Sequence, residues 1–297
     1  MKSSLILRPV FVALLSLGFA VHVMAASALP DSAFDDEHTG AISIHEMGRE
    51  TRGAVLVRDI IFSPIGRPVK AYLVSPVKSD GSNAAILYVH WLGESSSSNR
   101  TEFLDEAVAL ASRGVVSLLV DTMWADPEWY KNRAPEEDAD RSIRQVNELR
   151  RAMDLLLAQP GIDTQRVAFV GHDFGTMYGI LASALDRKAK TYVFMAGVPH
   201  FIDWFLFARQ PQDLPAYQQQ IAPLDPVNYL GRLAPATVFF QFASRDQYVT
   251  ATQAAELYAA AAPLKQMATY DAAHDLHTPE VSADRIVWLA RELALKK

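Results

Sequence analysis

The stretch Arg166-Val-Ala-Phe-Val-Gly-His-Asp-Phe-Gly-Thr-Met-Tyr-Gly179 constrains this chain more than any other. A β-branched apolar run ends at Val170. Gly171-His172-Asp173-Phe174-Gly175 follows, and a helix-compatible run extends from Thr176 to Leu185. Strand, tight turn and helix in immediate succession place Asp173 at the apex of the turn. The flanking glycines have a physical reason: a residue held in a strained turn needs neighbours without side chains, so that strand and helix can pass closely.

Around this unit, apolar runs of strand length alternate with helical patterns. Val55 to Ile61 and Val69 to Val74 flank a Pro/Gly-rich turn and read as a hairpin. Ala84 to His90, Val115 to Val120, Thr191 to Ala196, Thr237 to Phe242 and Gln266 to Tyr270 read as strands, the more apolar of them suited to burial on both faces. Helices are expected at about 99–113, 142–158, 176–185, 252–262 and 282–296. The polar segment 29–52 reads as an irregular arm. The pattern implies an α/β fold, with a mostly parallel central sheet and helices on both faces, in a single domain over 29–297. The aromatic segment at about 198–232 is expected to be a small lid-like insertion, or else a helix packed on the sheet.

The net charge of −6 provides no basic footprint for nucleic acid, and zero cysteines exclude disulfides and thiolate chemistry. Lys2 and Arg8, an apolar run from Pro9 to Val23, and small residues up to Ala28 read as a secretory signal peptide over 1–28. The alternative is an uncleaved anchor. An exported, periplasmic or secreted protein is expected, with a small-molecule partner, no nucleic acid, no membrane association after cleavage, no cofactor and no metal. The His274/His277 pair with Asp271 nearby is a weak metal pattern.

Ligands of open α/β sheets bind at the carboxyl ends of the strands, and His90, Asp121, Asp173, Asp246 and His274 all sit just beyond expected strands. On these residues the chain resembles an α/β-hydrolase over about residues 55–297, a fold whose chain order is nucleophile, acid, histidine. Asp173, Asp246 and His274 match that order. Phe240 to Val249 and Tyr270-Asp-Ala-Ala-His274 resemble the acid and histidine loops of the dienelactone-hydrolase branch, and His90-Trp91-Leu92-Gly93 stands where those enzymes keep an oxyanion loop. Gly171-His172-Asp173-Phe174-Gly175 instead resembles the aspartate elbow of epoxide hydrolases and haloalkane dehalogenases.

A carboxylate is ionised near neutral pH and needs no base to become nucleophilic. Its attack on a carboxylic ester would give a less stable anhydride. Attack on an epoxide or haloalkane carbon gives an ordinary ester, which a water activated by His274 can hydrolyse. The resemblance implies Asp246 as the partner of His274. Backbone N–H groups around Trp91 and Phe174 are the expected oxyanion donors, with His90 beside them. Trp91 and Trp124 are candidate indole donors to a leaving group, and Tyr130, Tyr217 and Tyr229 candidate acids. The alternatives are a dienelactone-hydrolase-like or esterase activity, and a non-catalytic binding protein on a hydrolase scaffold. His172 reads as a structural neighbour that hydrogen-bonds locally.

Overall fold

The computed structural model describes residues 27–35, 40–79, 81–93, 96, 98–126 and 128–296. The expected signal peptide therefore lies, but for its last two residues, outside the described residues. Among the described residues no helix is long and apolar enough to cross a membrane.

The strands are β1 (Ile44–Arg52), β2 (Val55–Phe62), β3 (Val69–Pro76), β4 (Asn83–Val89), β5 (Val115–Val120), β6 (Ile162–His172), β7 (Thr191–Met195), β8 (Thr237–Ala243) and β9 (Lys265–Tyr270). The helices are α1 (Leu104–Ala111), α2 (Trp129–Asn132), α3 (Asp138–Leu157), α4 (Phe174–Asp186), α5 (Ile202–Ala208), α6 (Leu214–Ile221), α7 (Ala251–Ala260) and α8 (Pro279–Glu292). The sheet runs β1-β2-β3-β5-β4-β6-β7-β8-β9. Its first four strands pair antiparallel, and from β5 to β9 every pair is parallel. The order reverses around β4, so the carboxyl ends of β4 and β6 open a crevice where ligands of such sheets bind.

β1 corrects the expectation of an irregular arm over 29–52. Most of its side chains are exposed, so it carries no apolar alternation to read. It forms because β2 offers an unpaired edge and Gly53, at φ +62°, makes the turn between them. Its charged side chains, with Glu46 bound by Arg49 and Arg58, suit an exposed sheet edge.

The central strands β4, β5 and β7 are buried along their whole length, as expected of a sheet covered on both faces. α4 is buried on every side from Phe174 to Ala184. α3 packs its apolar stripe against it, and Ser142 meets the Tyr178 hydroxyl at 2.9 Å. The segment between β7 and β8 holds α5 and α6. Tyr217 of α6 donates to Asp138 at 2.7 Å, and the buried Arg133 pairs with the same carboxylate while lying over the Phe205 ring. The segment is thus fastened to α3 and also places Trp204 in the wall of the cavity at the carboxyl ends of the strands.

Candidate active site

β6 ends at His172, and Asp173 occupies the turn at φ +58° and ψ −118°. A non-glycine residue there stores on the order of 1–3 kcal/mol of strain and persists only where its surroundings hold it. Three features hold it. The Asp173 N–H donates to the Met195 carbonyl at 2.9 Å. The Thr176 hydroxyl bonds the Gly171 and Met195 carbonyls, both at 2.8 Å. A Cβ on Gly171 would lie 2.4 Å from the Gly175 carbonyl oxygen, and one on Gly175 would lie 2.3 Å from that of Val89. The glycines are there because backbone fills the space a side chain would need.

The two Asp173 oxygens have different surroundings. Oδ2 accepts the Leu92 N–H at 2.7 Å. Oδ1 lies 3.7 Å from His274 Nε2, an ion-pair distance wide of a direct hydrogen bond. Asp173 lines a cavity of about 590 Å³ with Trp91, Tyr130, Phe174, Trp204, Tyr248 and His274 among its walls. The other ring nitrogen of His274, Nδ1, meets Asp246 Oδ2 at 2.8 Å and Oδ1 at 3.0 Å. Asp246 is anchored in turn by the N–H groups of Tyr248 and Val249, at 2.8 and 3.0 Å. Asp173, His274 and Asp246, brought from the ends of three strands, form one connected row.

Electrostatics follow from that row. Burial alone would push the His274 imidazole down, but the flanking carboxylates of Asp173 and Asp246 outweigh it and raise it to about 9. Burial works to raise Asp246, yet its bonds to His274 and to the two backbone N–H groups leave it below the usual carboxylate range. The two carboxylates thus favour the protonated form of His274 at neutral pH. The imidazole becomes a base when the charge on Asp173 is removed.

Replacing Asp173 by asparagine should lower the His274 titration midpoint from about 9 toward the ordinary range near 6.5, read by NMR. The linkage has a definite sign. A histidine raised on folding contributes stability below about 6.5 that is lost as pH rises through about 9. The full effect is on the order of 3 kcal/mol, and Asp173→Asn should remove part of it. His200, held by Asp225 and Glu256 and also raised to about 9, acts in the same window in both proteins. The difference between the two pH–stability curves is therefore the quantity to measure.

Several expected residues are placed otherwise. His90 does not face the cavity. Its Nδ1 meets the Trp91 carbonyl at 2.8 Å, its Nε2 accepts from Thr122, and burial pushes it down to about 3, so it is a neutral strut between two loops. The Trp91 N–H is bound by Glu102 Oε2 at 2.8 Å, so the donor aimed at Asp173 is one residue further on, at Leu92. Phe174 opens α4, where its N–H has no intrahelical acceptor, and its ring lines the cavity. The Trp124 indole N–H is taken by the His90 carbonyl at 3.0 Å, whereas that of Trp91, at the cavity wall, is buried without a partner. Tyr217 and Tyr229 are bound to Asp138 and to the Pro223 carbonyl; among the three tyrosines only Tyr130 lines the cavity, and its hydroxyl donates to the Trp204 carbonyl. Asp121 binds Arg100 through backbone and guanidinium, and anchors that loop. Among the described residues no cluster of three or more histidines, aspartates or glutamates is arranged to hold a metal ion.

Tyr248 and Gln247, within the acid-loop stretch, and Trp204, within the aromatic segment, are cavity residues that the sequence did not single out. The signal was faint: Tyr248 lies two residues past Asp246, on a loop whose shape depends on the Asp246 turn.

No family model matches the chain. A polyketide transferase, ATR5, of Stachybotrys chlorohalonatus (strain IBT 40285) is 33% identical over 101 residues, which are 33% of this chain and 32% of that protein. The match thus spans about a third of the length of that relative. Among solved structures, an acetyl xylan esterase from Paenibacillus sp. R4 superposes with a TM-score of 0.73 at 15% identity, covering 88% of this chain and 92% of its own. Acetyl xylan esterase 1 from Thermoanaerobacterium sp. JW/SL YS485 gives 0.70 at 15% identity, over 91% and 95%. A protein assigned as a dienelactone hydrolase from Klebsiella pneumoniae gives 0.57 at 15% identity, over 86% and 99%. Likeness at this level of identity concerns architecture, and the architecture is the α/β-hydrolase fold, in the layout of these three structures.

Proposed function

We propose that the protein is a hydrolase whose Asp173, His274 and Asp246 carry out the hydrolysis of an ester, and that this ester is formed on Asp173 itself. The observation that carries the reading is the unlike pair of oxygens on Asp173. Oδ1 lies on the His274 side of a residue that lines the cavity, while Oδ2 is tied to the Leu92 N–H. In the first step an Oδ1 lone pair attacks a saturated carbon of an epoxide or haloalkane, and the carbon–oxygen or carbon–halogen bond breaks. A halide leaves as the anion and the His274 proton is then released to solvent, whereas an epoxide oxygen takes the proton held on His274. Esterification removes the Asp173 charge that keeps the imidazole protonated, so His274 becomes a base as it is needed. It takes a proton from water, and the hydroxide adds to Cγ. Negative charge gathers on Oδ2, where the Leu92 N–H already points. Collapse breaks the Cγ–Oδ1 bond, His274 returns the proton to Oδ1 and an alcohol carrying Oδ1 departs; the acid proton left on Asp173 then passes to His274 and restores the imidazolium.

The hydrolytic half is esterase chemistry, which accords with neighbours that are acetyl xylan esterases. That likeness favours a second reading, direct hydrolysis of a substrate ester by water activated between Asp173 and His274. The aromatic walls and about 590 Å³ of space suit a ring-sized apolar substrate in either case. Single-turnover oxygen-18 tracing separates the two readings, because label from water enters Asp173 in the first and the product in the second. Export is part of the proposal, supported by the apolar segment that follows Lys2 and Arg8.

A further inference from the structure

Beneath the row lies a second pair of ionisable side chains, buried and without access to the cavity. Glu102, two residues before α1, places Oε1 2.6 Å from His172 Nδ1, and neither side chain is more than 2% exposed. The other oxygen of Glu102 accepts the Trp91 N–H at 2.8 Å. His172 Nε2 lies 3.0 Å from the His274 carbonyl, and the Trp91 indole stacks on the His172 ring at 5.3 Å with the planes 4° apart.

Hydrogen-bond logic sets the protons. A carbonyl only accepts, so Nε2 carries hydrogen. An ionised carboxylate only accepts, so a second proton must lie between Nδ1 and Oε1. The arrangement is a buried carboxyl–imidazole pair sharing one proton, in a region that also holds the buried Glu106–Arg285 pair. Burying such charges is costly unless geometry and further hydrogen bonds compensate. Here those further bonds run to the two loops that shape the site: the Trp91–Leu92 turn, which supplies the donor to Asp173 Oδ2, and the His274 loop.

We propose that Glu102 and His172 form a buried positioning dyad that holds the Leu92 donor and the His274 base in register around Asp173. The inference rests on the aspartyl-ester reading for its kinetic consequence and on geometry alone for its structural one. The dyad touches neither substrate nor reacting atoms. It sets the second half of the reaction, in which the charge on Oδ2 and the proton on His274 must be met together. Adduct formation, which needs only the free Oδ1, depends on it less.

The test uses the full chain with Glu102→Ala and Glu102→Gln. A glutamine can keep both contacts, its carbonyl accepting the Trp91 N–H and its amide donating to Nδ1, while removing the shared proton. The first readout needs no substrate: a low-field His172 Nδ1–H resonance in 15N-labelled protein, expected in the wild type and lost in both variants. Its absence from the wild type, or its survival in Glu102→Ala, overturns the dyad. The second is the partition between steps. Glu102→Ala should slow hydrolysis of the Asp173 ester by about 100-fold, the scale of losing one oxyanion donor. Adduct formation should fall less than about 5-fold, and Glu102→Gln should restore turnover to within a few-fold. Equal loss in both steps, or no rescue by glutamine, overturns the positioning role. If no variant, His274→Gln included, ever forms an adduct while the resonance behaves as expected, the aspartyl-ester reading fails. The dyad is then judged by whether Glu102→Ala, and not Glu102→Gln, shifts the His274 ring signals. Unshifted signals overturn it.

Discussion

His274→Gln should stop the enzyme after one chemical event and leave the substrate's carbon skeleton attached to Asp173. In the proposed mechanism attack by Oδ1 needs no base, since a carboxylate is the nucleophile and its other oxygen keeps the Leu92 N–H at 2.7 Å. Hydrolysis of the ester needs a proton acceptor, which glutamine is not. Loss of a positioned general base costs about 10²- to 10⁴-fold, enough for the adduct to accumulate to near stoichiometry within minutes. With an epoxide, whose opening also draws on the His274 proton, adduct formation should slow as well. A haloalkane is therefore the cleaner probe. Intact mass followed by peptide mapping reads both the adduct and its position. An adduct elsewhere, or none with a substrate the wild type turns over, contradicts the covalent step.

The second large effect is structural. Gly175→Ala should cost about 3 kcal/mol or more of folding stability, at the upper end of overpacking penalties. The new Cβ would lie 2.3 Å from the Val89 carbonyl oxygen and 2.9 Å from that of His90, both backbone atoms that cannot rotate aside. Relief requires α4 and the end of β4 to separate. That movement carries the Trp91–Leu92 turn away from Asp173, so any protein that folds should also lose turnover. Gly231→Ala is the control. Its Cβ would meet nothing closer than 3.7 Å, so a change within about 0.5 kcal/mol is expected in urea unfolding.

What could be read from sequence follows the locality of the physics. The β6–Asp173–α4 unit was legible because its requirements are adjacent in the chain: a β-branched run, two glycines and a helical run. Asp246 and His274 were legible through loop motifs and strand order. β1 was not, because an exposed charged edge strand has no apolar alternation and is defined by its partner β2. His90 stands at the end of β4 as expected, yet its ring is bound by Thr122, 32 residues away, and no local pattern announces that. Glu102 and His172 meet across 70 residues, so the histidine read as a local neighbour is joined to a distant carboxylate. The donor to Asp173 is Leu92 and not Trp91 because the same carboxylate occupies the Trp91 N–H.

The most direct test of the covalent role of Asp173 is a single turnover of wild-type protein in excess over substrate, in water enriched in oxygen-18. If Oδ1 leaves with the alcohol, the product is unlabelled and the peptide containing Asp173 gains one heavy oxygen. Label in the product with an unchanged Asp173 peptide would mean that water attacks the substrate directly, and the carboxylate at the turn would no longer be the attacking group.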